Sequence, residues 1–131
     1  MNTLVTIIYG LMLLTPTMAR ATSFSGLWNW SAAPQSKAFS IDLKQDGKKI
    51  YGQYCAISLN GARIDCDDKD NPNIRGQIDS SGKLATVEFS SYFGARQGRA
   101  TMRINKGRMI WKITIDPHGG DFYAPRDAGI G

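Results

Sequence analysis

A reacting site needs a base, a nucleophile or a bound metal, and this chain supplies few side chains of those kinds. His118 is the only histidine. It lies in Asp116-Pro117-His118-Gly119-Gly120-Asp121, where an imidazole near two aspartates could titrate close to neutrality or donate one metal ligand. A closed zinc site needs further His or Cys ligands. No second histidine exists, and Cys55 and Cys66 are the only cysteines and are expected to be oxidised. His118 therefore reads as a solvated loop residue. The segment Asp65-Cys66-Asp67-Asp68-Lys69-Asp70-Asn71 has the acid density of a calcium loop. An EF-hand, however, requires oxygen ligands at its first, third and fifth positions, Gly at the sixth and Glu at the twelfth. Counting from Asp65 puts Lys69 at the fifth position and no Glu at the twelfth, so an exposed acidic turn is expected there. No catalytic residue, metal site or cofactor follows from these groups, and the expectation is a protein that binds and does not catalyse.

Positive charge is the chemistry the chain does concentrate. Arg96, Arg99, Arg103, Lys106, Arg108 and Lys112 crowd the last predicted hairpin. With Asn105-Lys106-Gly107-Arg108 as its loop, Ile104 faces Met109, Met102 faces Trp111 and Ala100 faces Ile113, while Thr101 faces Lys112 and Arg103 faces Ile110. Arg99, Arg103 and Lys112 then form a basic docking face on the side opposite Met102 and Trp111. Charges on a strand also guard it against edge pairing, which accounts for the same residues equally well.

These groups must be held by strands. Cys55 and Cys66 are symmetric about Asn60-Gly61 in Tyr-Cys-Ala-Ile-Ser-Leu-Asn-Gly-Ala-Arg-Ile-Asp-Cys. Asn-Gly favours a two-residue type I′ turn, because both central residues need φ > 0. In that register Leu59 faces Ala62, Ile57 faces Ile64 and Cys55 faces Cys66, close enough for a disulfide. The apolar members, Cys55, Ile57, Leu59, Ala62, Ile64 and Cys66, are expected on the inward face, and Ala56, Ser58, Arg63 and Asp65 on the outer one.

The rest of the chain after residue 23 alternates apolar and polar residues between short turns at Asp46-Gly47, Asn71-Pro72-Asn73, Asp79-Ser80-Ser81-Gly82 and Asn105-Lys106-Gly107-Arg108. This is the pattern of an antiparallel meander. About eight strands are expected, the number at which an up-and-down sheet can close into a barrel and lose its edges. The fold class is all-β. Its inward set is Trp28, Phe39, Ile41, Leu43, Ile57, Leu59, Ile64, Ile74, Ile78, Val87, Phe89, Met102, Ile104, Met109, Trp111, Ile113 and Ile115. One phase conflict stands out. A plain Asp46-Gly47 hairpin makes Leu43 face Ile50 and puts Ile50, Gly52 and Tyr54 inside, one residue out of step with Cys55 and Ile57. Either a bulge near Gly52 or a three-residue Asp-Gly loop with a G1 bulge restores the phase, and a distortion at Gly52 is the expected remedy.

The N-terminus points to export. Leu4 to Leu14 is apolar, Thr15-Pro16-Thr17 interrupts it, and Ala19-Arg20-Ala21 supplies an A-x-A cleavage site. Residues 1–21 thus read as a signal peptide and residues 22–131 as one β-barrel domain. Loss of Arg20 leaves 15 basic residues of the original 16 against 11 acidic ones, a net charge of +4. Export directs that charge away from nucleic acid and toward acidic surfaces of the envelope or an acidic protein, in the periplasm or outside the cell.

Gly26-Leu27-Trp28 resembles the G-x-W that opens lipocalin barrels, and avidin-like barrels open with a G-x-W too. The lipocalin resemblance implies that Trp28 plugs a closed end. The avidin-like one, through Asp46-Gly47 and Gly52-x-Tyr54, implies that Tyr54 looks into the mouth. The second half offers only Trp111 where an avidin pocket needs several tryptophans, so biotin is not implied. Phe24-Ser25-Gly26-Leu27-Trp28 and Trp111-Lys112-Ile113 also resemble small secreted bacterial β-proteins of no assigned function. Two readings follow. In one, the barrel holds a small apolar or amphipathic ligand near Trp28, Tyr54 and Trp111. In the other, the protein docks on a secreted protein, as an inhibitor or immunity protein blocking an exported enzyme.

Overall fold

Alternating strands between tight turns fold back on one another, and the computed structural model of the protein, which describes residues 23–131, has that form. Residues 1–22, and with them the expected signal peptide and its cleavage site, lie outside the described residues. The strands are β1 (Gly26–Asn29), β2 (Ala38–Asp46), β3 (Lys49–Ser58), β4 (Arg63–Asp65), β5 (Ile74–Ile78), β6 (Leu84–Phe89), β7 (Gly98–Asn105), β8 (Arg108–Ile115) and β9 (Asp127–Ile130). Their order is β1-β2-β3-β5-β6-β7-β8-β9, all antiparallel, with β4 paired to β3 alone. The sheet curls until β9 returns to β1. There Trp30 bridges Ile130, and Asn29 and Gly131 exchange backbone hydrogen bonds of 3.2 and 3.0 Å. The result is a nearly closed eight-stranded barrel with one unsealed seam.

Turn chemistry sets the registers. Lys106 and Gly107 both have positive φ, 51° and 75°, as a two-residue type I′ loop demands. The expected pairs Ile104–Met109, Met102–Trp111, Ala100–Ile113, Thr101–Lys112 and Arg103–Ile110 follow. Asn60 and Gly61 likewise have φ of 55° and 91°, and the Ala62 amide donates to the Leu59 carbonyl. Ile57 faces Ile64, and Cys55 is bonded to Cys66 with Cα atoms 4.5 Å apart. That spacing belongs to a non-hydrogen-bonded pair of an antiparallel ladder.

The stapled hairpin is turned over relative to the expectation. Tyr54, Ala56, Ser58 and Asp65 are buried, whereas Leu59 and Ile64 are 59% and 54% exposed and Ala62 lies at the surface. Cys55, Ile57 and Cys66 are half-buried. The cause is the phase of β3. The β2–β3 loop is Gly47-Lys48, closed by Asp46 opposite Lys49, so Leu43 faces Gly52 and not Ile50. From Ile50 through Gly52, Tyr54 and Ala56 to Ser58, alternate residues then stay inside with no bulge near Gly52. Ten residues of β3 outweigh the three of β4, and the hairpin takes the face that β3 dictates. Ile115, expected inside, is 52% exposed because a bulge between Arg99 and Ala100 shifts the end of β8 by one residue. The closing strand β9 was not anticipated: Asp-Ala-Gly-Ile carries too little periodicity to announce itself.

Gly52 and Gly76 stand at inward positions where the sheet bends. A Cβ on Gly52 would lie 2.0 Å from the Asp42 carbonyl oxygen, and one on Gly76 at 2.0 Å from that of Thr86. Absence of a side chain lets adjoining strands approach closely enough to curl. Inside, the rings of Phe39, Tyr54, Phe89 and Trp111 contact one another with centroids 5.2–6.0 Å apart, tilted or edge-on as aromatic quadrupoles prefer. Phe24 is wholly buried beside the end with the short turns: its amide donates to Gln45 Oε1 and its carbonyl accepts from Trp28 Nε1 at 2.8 Å. Trp28 faces inward opposite Ile41 but is only half-buried; among the described residues no strand flanks β1 along most of the seam. Phe24 occupies the plugging place expected of Trp28. Phe24→Ala should cost about 3–5 kcal/mol in urea unfolding, and Trp28→Ala clearly less.

Candidate functional site

The long connections, 30–37, 59–73, 90–97 and 116–126, all gather at the other end of the barrel, and one side chain ties three of them together. Asp65, on β4, is completely buried. Its Oδ2 accepts from the Tyr54 hydroxyl and the Ser91 hydroxyl, each at 2.9 Å, and from the Tyr123 amide at 3.1 Å. Its Oδ1 accepts from the Tyr92 amide at 2.9 Å. An ionised carboxylate only accepts hydrogen bonds, and every one of these contacts brings a donor. Among the described residues no Lys or Arg pairs with it. Burying such a charge is costly unless its lone pairs are filled, so the network specifies where the loops 90–97 and 116–126 must lie.

β3 is held around the same point. β5 pairs with its first half up to Gly52, and β4 with its last residues from Ala56. Between them the buried Asn73 side chain substitutes for a strand: Oδ1 accepts from the Tyr54 amide at 2.8 Å and Nδ2 donates to the Tyr54 carbonyl at 3.1 Å. The Tyr54 phenol, donating to Asp65 with the Ser90 carbonyl oxygen also 2.9 Å away, has its pKa pushed far above the ordinary 10.0 by burial first, then by the Asp65 charge and its hydrogen bond. This corner looks like an acid–base pair, but the phenol is held neutral, the carboxylate is filled with donors, and both are buried. Its chemistry is structural.

The sequence-derived candidates fall into separate places. Tyr54 and Trp111 are wholly buried in the ring cluster, with the Trp111 Nε1–H donating to the Pro125 carbonyl at 2.7 Å; Trp28 lies at the seam. The described surface grooves are walled by other residues. Arg99, Arg103 and Lys112 do share the outer wall. Arg99 stands opposite Glu88, Arg103 opposite Ile110, and Lys112 between Thr101 and Asp127, all exposed. Ile110, 45% exposed, lies beside Arg103 and Lys112. His118 is exposed, and its backbone, not its ring, is engaged, pairing with Arg96. Asp116 is held below the usual carboxylate range by a two-pronged bond from Arg126, at 2.6 and 2.8 Å. Asp67, Asp68 and Asp70 remain at the surface, and Asp65 is not part of an exposed acidic turn.

Sequence reasoning missed the role of Asp65 and the contributions of Asn73, Ser91 and Trp30. Asp65 could have been found from its register: opposite Ala56, two residues from Tyr54, it belongs to the inner face once the phase of β3 is set by Ile50 and Tyr54. Comparison with protein-family models, curated proteins and solved structures gave no significant match.

A phenol whose folded-state pKa lies above its unfolded value stabilises the fold fully below the unfolded pKa, and that contribution falls as pH rises toward the folded one. Tyr54 should therefore make the protein lose stability from about pH 10 upward. Tyr54→Phe should cost about 1–3 kcal/mol at neutral pH by removing one donor from buried Asp65. It should also flatten the alkaline loss, as read by urea unfolding across pH.

Proposed function

We propose that this is a non-catalytic binding protein of an oxidising, extracytoplasmic compartment, and that it engages an acidic protein partner with the outer wall of its barrel. The disulfide is consistent with that compartment. The observation that carries the reading is the filled interior. Phe39, Tyr54, Phe89 and Trp111 pack ring against ring where a ligand would lie, and Asp65 draws the loops over the open end. Barrels of eight strands have an interior that side chains can just fill. What remains available is the exterior, where Arg103, opposite exposed Ile110, and Lys112, two residues further along β8, flank that apolar side chain, and Arg99 extends the basic wall toward the far end of β7. An apolar residue flanked by two cations suits a partner with complementary acidic residues, and the charges would steer its approach. Blocking an exported enzyme, as an inhibitor or immunity protein does, is a function such a wall can perform without a reacting group. The lipocalin- and avidin-like resemblance enters this proposal only as a barrel opening on Gly26-Leu27-Trp28.

Immobilised protein challenged with exported proteins of its own source should retain an acidic one, with retention falling as salt rises. Arg99→Glu with Arg103→Glu and Lys112→Glu should weaken that retention by about tenfold or more while leaving the fold intact. Uptake of an apolar fluorescent probe that is lost in Trp111→Ala would contradict the outer-wall reading and support an interior ligand. Turnover abolished by His118→Ala would contradict both.

A further inference from the structure

At the seam the ladder of the barrel is interrupted, and hydrogen-bond parity identifies the groups left over. The Arg126 carbonyl accepts from the Ile113 amide at 2.8 Å, and Ala128 and Ile130 stand opposite Trp111 and Met109. Hydrogen-bonded and non-hydrogen-bonded pairs alternate along an antiparallel ladder. Residues 126, 128 and 130 thus direct their N–H and C=O groups to β8, while Asp127, Gly129 and Gly131 direct theirs to the seam. Gly131 is satisfied by Asn29. Beyond Trp30 the chain turns at Ser31 and Ala32 instead of continuing beside β9. Among the described residues, Asp127 and the Gly129 N–H make no backbone hydrogen bond across the seam, while the Trp30–Ile130 bridge places Ser31 beside the Gly129 carbonyl.

A groove of about 480 Å³ follows the same edge. Its walls include Asp127, Ala128 and Gly129 of β9, Arg108 and Ile110 of β8, and Trp30. Ala128 is buried and faces the interior, whereas Asp127 is exposed on the outside. The groove thus crosses the outer side of β8 and β9 and reaches Trp30 at the seam. Gly129, opposite Ile110, leaves it open: only the end of the Arg108 side chain lies over it, 2.9 Å from the place a Cβ would take. Lys106 adds a second cation to the Arg108 end.

We propose that the free edge of β9 takes up an extended segment of the partner protein as an added strand. The segment carries an acidic side chain at the Lys106–Arg108 end and an apolar one against Trp30 and Ile110. This rests on the reading that the partner docks on the adjoining basic wall, and it names the form of the partner's contact. In strand addition, main-chain hydrogen bonds supply affinity, and pockets for alternate side chains supply specificity. Asp127 and Gly129 offer the former, and the groove offers the latter.

The probe is a short capped peptide alternating Glu and Val, beside the same peptide N-methylated on alternate residues. Amide hydrogen exchange is followed in the full chain and in the form cleaved after Ala21. The unmethylated peptide should slow exchange at Asp127 and Gly129 by at least about tenfold in the cleaved form, and the methylated one should not. Gly129→Pro removes a donor that no other strand uses, as edge positions tolerate. It should abolish the protection at Asp127, while Gly129→Ala retains it. If Gly129→Pro fails to fold, the methylated peptide alone decides. Equal protection by both peptides, protection on β4 instead, or none at all would overturn the proposal. So would protection without peptide that grows with protein concentration, which assigns the edge to a second copy, or protection confined to the uncleaved chain, which assigns it to residues 1–22. If Arg99→Glu and Arg103→Glu weaken retention of an acidic protein while the peptide protects nothing, strand addition fails and the outer-wall reading survives.

Discussion

A buried carboxylate without a cation must be surrounded by donors, and meeting that demand at Asp65 organises one end of this molecule. The Tyr54 phenol comes from the longest strand, the Ser91 hydroxyl and Tyr92 amide from the connection after β6, and the Tyr123 amide from the connection before β9. Each has its own chain direction, and the four converge only if these segments lie in one arrangement. The disulfide acts through the same residue. β4 is three residues long and pairs with β3 alone, so the Cys55–Cys66 bond, next to Asp65, holds in place the strand that presents the carboxylate. At the opposite end, where turns are short, a wholly apolar plug suffices, and Phe24 provides it.

How much of this could be read beforehand depended on whether the signal was local. Type I′ turns at Asn60-Gly61 and Lys106-Gly107 left their requirement for positive φ in the sequence, so the registers of both hairpins were legible, as were the disulfide and the meander. The facing of the stapled hairpin was not. Its own residues favour Ile57, Leu59 and Ile64 inside, and the decision came from Ile50, paired with both β2 and β5, and Tyr54, paired with β2. Tertiary context overrode a clean local pattern. Of the candidate site, the outer basic wall was legible because it follows from the β7–β8 register alone. The Asp65 network was not, because its donors lie 11 to 58 residues away and two of them are backbone amides that any residue could supply.

Closure at both ends shapes what the barrel can do. A carboxylate that draws loops across the mouth, over four packed rings, fills the inside, and the proposed partner contact is accordingly placed on the exterior. There the cations of β7 and β8 and the unpaired edge of β9 lie on adjoining strands. The seam is the cost of the same closure. After Trp30 the chain leaves the barrel wall for the loop whose Ser36 carbonyl accepts from the Asn60 amide at the hairpin tip. Among the described residues, β9 is thereby left with one neighbour for most of its length.

The most direct test of Asp65 as the organising group is the exchange rate of the two amides it receives. In the native protein, Tyr92 and Tyr123 should exchange nearly as slowly as the core strands, although both lie in loops. In Asp65→Ala they should exchange at rates typical of exposed loops, while amides of β6 and β7 keep most of their protection. Rapid exchange of Tyr92 and Tyr123 in the native protein, or protection that survives the loss of the carboxylate, would contradict the account.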